Sequence, residues 1–295
     1  MSEASGIPRR IALVGASGLV GQAIVQQIRG TGTAVEAVAS TSNSRGRHSA
    51  FEFAAVDLEP SDSDAVWATE LAPFDAVIHT GLPRLSAPIR RRGLRRTIPH
   101  AVSVAGRVAS ALPEGVPLVL ASTHFVRAER DLGMVAAAVE ESLWEYDHLR
   151  VVRLPWVYGP SGPVSWITRG LAARRFRVVG QGSNRFPLVS APDAARALLA
   201  ALRLPAGVYG AGQADPPTQL DVVKRLCKAG ALPRPDHVPP RLATYTLGGP
   251  LADAYSFDLR ADTSPELSAV GWTAADEWGA SVFSATRPQG GSGGE

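Results

Sequence analysis

The chain has 295 residues, 45% of them hydrophobic and 19% charged, a composition that suits a globular protein with a sizeable core. Its net charge is only +3 despite a pI near 9.3, and of the 30 basic residues only Lys224 and Lys228 are not Arg, so the basicity reads as a compositional bias rather than a nucleic-acid-binding face. Neither a membrane span nor a signal-peptide core is present, and Cys227 is the sole cysteine, so the expectation is a cytoplasmic protein with no disulfide and no cysteine-cluster metal site.

The first apolar run, Ile11-Ala12-Leu13-Val14, reads as a buried strand. It is followed by Gly15-Ala16-Ser17-Gly18-Leu19-Val20-Gly21 and then by a helical pattern in which Val20, Ile24 and Ile28 recur at spacing four. Strand, glycine turn and amphipathic helix are the layout of a dinucleotide-binding βαβ unit. Gly15 allows a tight turn, Gly18 lets the backbone approach a pyrophosphate, and Gly21 lets helix and strand pack closely. Ser17, Leu19 and Val20 share this cofactor-binding stretch, where free N–H groups at a helix start favour phosphate. A glycine turn without a ligand is the plain alternative, and the flanking strand and helix count against it.

Residues 34–39 read as the second strand. It runs into Ser40-Thr41-Ser42-Asn43-Ser44-Arg45-Gly46-Arg47, with no carboxylate to bond a ribose 2′-OH. Hydroxyls at Ser40 and Thr41 together with Arg45 and Arg47 suit a 2′-phosphate, so the cofactor expected is NADP(H). Phe53 to Val56 forms a third strand ending at Asp57-Leu58, and residues 74–79 a fourth ending at Thr80-Gly81-Leu82-Pro83. The basic run Arg84, Arg90, Arg91, Arg92, Arg95 and Arg96 is read as a solvated face, with an anionic-ligand site as the alternative. A helix is expected over 98–111. Leu118 to Ala121 is a fifth strand opening into Ser122-Thr123-His124, a helix covers roughly 132–146, and Val151 to Leu154 is a sixth strand.

Strands alternating with helices predict an α/β fold: a Rossmann-type, doubly wound parallel sheet over residues 1–155. Ligands of such sheets lie beyond the carboxyl ends of the strands, where Gly15–Gly21, Asp57, Thr80–Pro83 and Ser122–His124 would gather. From Pro155 the texture changes to proline, glycine and shorter elements, which predicts a smaller C-terminal substrate lobe over 156–286, some of it returning to the core. Residues 287–295 read as a disordered tail. No His/Asp/Glu cluster has metal-ligand spacing, and no Gly-x-Ser-x-Gly elbow suggests a hydrolase.

The order of these pieces resembles the extended short-chain dehydrogenase/reductases, over about residues 10–283. The marks are the glycine turn, Asp57-Leu58, Ile78-His79-Thr80-Gly81, Ser122-Thr123, Arg153-Leu-Pro-Trp-Val-Tyr-Gly-Pro160, Phe186-Pro-Leu-Val-Ser190 leading to Asp193, and Gly207-Val-Tyr-Gly210. The resemblance implies a nicotinamide cofactor that also touches Leu58, Thr80, Gly81, Leu82, Pro155 and Val157. It implies a Ser/Thr donor, here Thr123 with Ser122 beside it. The family's Tyr-x-x-x-Lys pair is absent, since no lysine precedes Lys224. A register set on Glu140 and Arg153 places Leu132 and Ala136 at the Tyr and Lys positions, and His100 where the family often has Asn. Among members of the family the chain looks most similar to atypical polyketide ketoreductases acting on angucyclinones. That similarity implies reduction of a polycyclic aromatic ketone, and a phenol beside such a ketone could itself supply the proton that the missing Tyr would give; the oligomeric state is left open. A non-catalytic NADP sensor or scaffold, and an isomerase or dehydratase, stand as alternatives. His124 and Tyr158 are read as substrate contacts or wall residues, and Trp166 and Met134, with Trp156, as pocket lining or core; His79 is read as structural.

Overall fold

The computed structural model describes residues 8–29, 31–39, 55–57, 62–81, 91–128, 131–213, 215–247 and 249–275. The apolar runs Ile11–Val14, Ala76–His79 and Leu118–Ala121 become strands buried on both faces, which need no polar alternation. Seven strands form one all-parallel sheet. In chain order its strands are β1 (Arg10–Val14), β2 (Ala34–Ala39), β3 (Ala55–Asp57), β4 (Ala76–His79), β5 (Leu118–Thr123), β6 (Leu149–Leu154) and, after three short strands of the second lobe, β10 (Gly207–Gly210). Their spatial order is β10-β6-β5-β4-β1-β2-β3. The order reverses between β1 and β4, the switch point at which such sheets hold ligands.

One face of the sheet carries Ile11, Leu13, Ile78, Val119 and Val152. It packs on α1 (Leu19–Ile28) and on α6 (Ala191–Ala201). The other carries Ala12, Val14, Val77, Leu120 and Val151, beneath α2 (Asp64–Leu71), α3 (Arg91–Ala111) and α4 (Asp131–Ser142). Helix α2 escapes a periodicity search because only Trp67 and Leu71 of its eight residues are buried; it starts at Ser63, whose hydroxyl caps the Val66 N–H. Helix α3 begins at Arg91 rather than near 98, with Pro99 inside it, and α4 stops at Ser142 rather than 146.

The second lobe has its own core. It is built from β7 (Trp156–Tyr158), α5 (Pro163–Ala172), β8 (Val178–Val179), β9 (Leu188–Ser190), α7 (Gln219–Gly230), β11 (His237–Val238), α8 (Pro240–Leu247) and α9 (Gly249–Ser256). Its centre is aromatic: Trp156 stacks on Phe186 and Tyr255 at centroid distances of 4.9 and 5.4 Å, with Phe125 edge-on at 4.9 Å. Strand β10, α6 and α10 (Pro265–Ala269) return to the sheet. Strand β10 is bounded by glycines and buries only Tyr209, so no apolar run announces a seventh strand. No described helix is long and apolar enough to cross a membrane.

Candidate functional site

The carboxyl edge of the sheet gathers most of the expected residues, and β1 leads into the tightest turn there. Gly15 has φ +85°, and a Cβ on it would lie 2.7 Å from Thr80 Oγ1 and 2.8 Å from the Gly81 nitrogen. A Cβ on Gly21 would lie 2.4 Å from the Gly15 carbonyl oxygen, so only glycine lets helix and turn meet. At Gly18 the same construction meets the Gly15 oxygen at 3.1 Å, which is tight but short of prohibitive. Gly18 is the extended N-cap of α1 and offers no side chain, while the Gln22 N–H donates to its carbonyl at 3.0 Å. The amides of Leu19, Val20 and Gly21 therefore form a first turn with no intrahelical acceptors, facing the space that the glycines keep clear. Ser17 is buried beside them.

Thr80 and Gly81 close the far side of the cradle. The Thr80 N–H and hydroxyl donate to the Val14 carbonyl at 2.8 and 3.0 Å, so this hydroxyl is engaged in joining β4 to the turn. The Gly81 N–H donates to His79 Nδ1 at 3.3 Å. That leaves the proton of a neutral His79 on Nε2, a buried donor with no partner among the described residues. Burial pulls the His79 pKa down to about 4. Leu19 reaches across to the segment after β7: a Cβ on Gly159 would lie 2.6 Å from Leu19 Cδ1. Half-buried Val157 packs against the sheet core, which brings the Pro155–Gly162 stretch beside the cradle.

At the end of β5 the adjacent Ser122 and Thr123 have separate tasks. The buried Ser122 hydroxyl donates to Glu140 Oε1 of α4, and Arg153 of β6 donates to the same carboxylate at 3.2 Å through Nε and 2.6 Å through Nη2. Ser122 is thus a strut between β5, β6 and α4, which corrects its reading as a free donor toward a substrate. Glu140 and Arg153 served the sequence only as register marks; their link to Ser122 is the feature that sequence reasoning missed. Thr123 Oγ1 accepts the Phe125 N–H at 3.3 Å and keeps its own proton to donate. Ala136 is 1% exposed, so the position matched to the family's Lys faces packed protein.

His124 is 1% exposed, and a Cβ on Gly210 would lie 3.1 Å from its ring and 2.4 Å from the Asp262 carbonyl oxygen. It sits in the wall between β10 and the C-terminal segment. Tyr158 is 6% exposed and lines a cavity of about 10 Å³ with Ser190, Asp193 and Gln213, room for no more than one water. Trp166 packs partly buried against the second-lobe core and Met134 is half-buried in α4. His100 is exposed on α3. Ser40, Thr41, Arg45, Leu58 and Leu82, with the side chain of Asp57, lie outside the described residues, as does the 287–295 stretch. No group of three described His, Cys, Asp or Glu residues could hold a metal ion.

An all-parallel sheet with a glycine cradle at its switch point defines a Rossmann-type α/β protein. Solved structures of that fold align over nearly the whole chain. A human epimerase family protein solved with NADPH matches at TM-score 0.74 and 16% identity, over 94% of this chain and 98% of that one. A UDP-glucose 4-epimerase of Thermotoga maritima, solved with UDP-glucose, matches at TM-score 0.69 and 18% identity, over 94% and 97%. The Bordetella bronchiseptica enzyme WbmH, solved with NAD+, matches at TM-score 0.64 and 17% identity, over 90% and 97%. No family model and no curated protein sequence matches the chain.

Proposed function

We propose that this protein is an NADP(H)-dependent ketoreductase that reduces a ketone of a polycyclic aromatic polyketide without a Tyr/Lys acid. The observation that carries the cofactor part is the cradle at Gly15, Gly18 and Gly21, where a Cβ would collide at Gly15 and Gly21 and the first amides of α1 lack intrahelical acceptors. NADPH and NAD+ in the matching folds support the same reading. Preference for the 2′-phosphate rests on Arg45, Arg47 and the missing acid after β2.

When bound, the nicotinamide supplies hydride for a carbonyl carbon held within reach. The chain's contribution at the carbonyl oxygen is the Thr123 hydroxyl, the donor of the Ser-Thr pair whose proton is not taken by Glu140. No lysine lies between residues 1 and 223, and Ala136 is buried, so α4 offers no Tyr-Lys couple to deliver a proton. A phenol on the substrate, hydrogen-bonded to the ketone, fits that gap: it passes its proton to the new alkoxide and recovers one from water. The resemblance to the angucyclinone ketoreductase of simocyclinone biosynthesis supports this choice of substrate.

Ser122 and His124 are both withdrawn from the open edge, and that observation favours a second reading, a non-catalytic NADP sensor or scaffold. Mixing the protein with NADPH and a panel of hydroxylated angucyclinones, while following absorbance of the reduced nicotinamide, separates the two. Turnover that collapses when the phenol next to the ketone is methylated supports substrate assistance. Equal turnover of the methylated ketone overturns it, and cofactor binding with no turnover on any ketone leaves the sensor.

A further inference from the structure

Helix α3 is too long for the sheet it covers. Its 21 residues span about 31 Å at 1.5 Å per residue, whereas β4, with four residues, and β5, with six, span about 13 and 20 Å. Among its described side chains the fully buried positions begin at Ala101 and continue through Val104, Ala105, Val108 and Ala111, with Ile98 partly buried against the same core. The six residues from 91 to 96, about 9 Å of helix, precede the first described core contact of the helix at Ile98 and extend from the carboxyl edge, on the side where β4 ends and the glycine cradle lies. This overhang carries Arg92, Arg95 and Arg96, all exposed and at spacings of three and four, so their guanidinium groups share one stripe. Among the described residues they line, together with Pro99, an open groove of about 620 Å³.

Like charges three and four residues apart repel one another, as Arg92 does with Arg95 and with Arg96, a cost that a purely structural stripe has no reason to bear. The ion pairs among the described residues leave all three out, although Arg107 on the same helix is paired with Asp64. The groove is cationic, unneutralised by a described acid and apolar on one side. We infer that this overhang is an anion-recognition arm, and that its groove takes the carboxylate or phosphoryl group of a small-molecule ligand at the mouth of the carboxyl-edge site. Guanidinium forks match both oxyanions bidentately, and the Pro99 ring offers an apolar surface for a ring attached to the anion.

The arm is tested on the full chain by calorimetric titration with 2-naphthoate, inorganic phosphate and neutral 2-naphthalenemethanol. The comparison protein carries Arg92→Gln, Arg95→Gln and Arg96→Gln; because these side chains are exposed, its melting temperature should match that of the unmodified chain. Binding of 2-naphthoate that weakens about tenfold or more in the triple variant supports the arm and names an aromatic acid as its ligand. The same loss for phosphate alone names a phosphoryl group. The inference is overturned if neither anion binds, if both bind the triple variant as tightly, or if the neutral alcohol binds as well as naphthoate. NADP titrated in parallel should bind both proteins equally, since none of these arginines is among the residues of the cradle. Failure of NADP to bind the unmodified chain would sink the cofactor reading while leaving the arm standing.

Discussion

Single residues at the carboxyl edge differ sharply in what they tolerate. Gly21 has the Gly15 carbonyl 2.4 Å from where a Cβ would sit, while Gly18 has it at 3.1 Å. Gly21→Ala should therefore destabilise the fold by about 1–3 kcal/mol in urea unfolding, the ordinary cost of overpacking, and Gly18→Ala by less than about 1 kcal/mol. Gly18→Val should leave the fold standing and remove NADP binding, because its branches enter the space beside the free amides; unchanged affinity in calorimetry would misplace the pyrophosphate. His79 makes a pH prediction. Its pKa is about 4 in the fold against 6.5 ordinarily, so between those values the unfolded chain takes up a proton that the folded chain refuses. Its contribution is complete above about pH 6.5 and is lost as pH falls toward 4. The unmodified protein should lose about 2 kcal/mol more stability between pH 7 and pH 5 than His79→Phe does. Identical pH dependence of the two proteins would mean that His79 titrates normally.

At the scale of elements, the Ser122–Glu140–Arg153 link holds two strands to one helix through a nearly buried carboxylate. Removing one member of such a pair strands the other charge, so Glu140→Gln should cost about 3–5 kcal/mol. Ser122→Ala removes a single hydroxyl and should cost about 1–2 kcal/mol, with turnover falling in proportion to folded protein. A stable Ser122→Ala protein that is catalytically dead would restore Ser122 as a donor to substrate. Helix α4 also answers whether the family's couple can be rebuilt. Ala136 is 1% exposed and packs in the interior, so Leu132→Tyr with Ala136→Lys places an ammonium group where water does not reach. The double variant should unfold at lower denaturant than the unmodified protein and gain no turnover; faster ketone reduction would show that the pocket was built for that couple.

At the scale of the whole molecule, the two lobes are tied by a clasp rather than by a linker. Beyond β10, the Gly210 N–H donates to Ser264 Oγ at 2.7 Å and the Gln213 N–H to the Ala261 carbonyl at 2.8 Å, while a Cβ on Gly212 would fall 1.7 Å from that same carbonyl oxygen. Trp272 Nε1 donates to the Asp193 carbonyl at 3.0 Å, which fastens the following stretch to α6. A ligand that seats on this assembled edge stabilises the folded state alone, so NADP at a hundred times its Kd should add about 2.7 kcal/mol and raise the melting temperature by roughly 5 °C. NADPH should exceed NADH in that shift by an affinity difference of about 1–3 kcal/mol if an Arg after β2 pairs with the 2′-phosphate. Equal shifts for the two cofactors would count against the pairing.

The sequence by itself determined the parts whose physics is local. A glycine turn between an apolar run and a four-spaced helix can be recognised because strand, turn and first helical turn are contiguous, and the alternation of elements then implies a parallel sheet. Absence of lysine before Lys224 likewise needs no structure. Tertiary structure decided what depended on partners far apart in the chain. Ser122 and Thr123 are neighbours of similar chemistry, yet one hydroxyl is taken by a carboxylate 18 residues away and the other is not. His124 belongs to the wall because Gly210 and Asp262 close over it, and β10 is a strand because β6 offers it an open edge rather than because Gly-Val-Tyr-Gly favours one. The arginine run reads as a solvated face in sequence; only the mismatch between a 21-residue helix and four- to six-residue strands lifts it above the site. Spacing along a chain reports which face of an element is apolar, whereas which polar group is spent on which depends on how those faces are brought together.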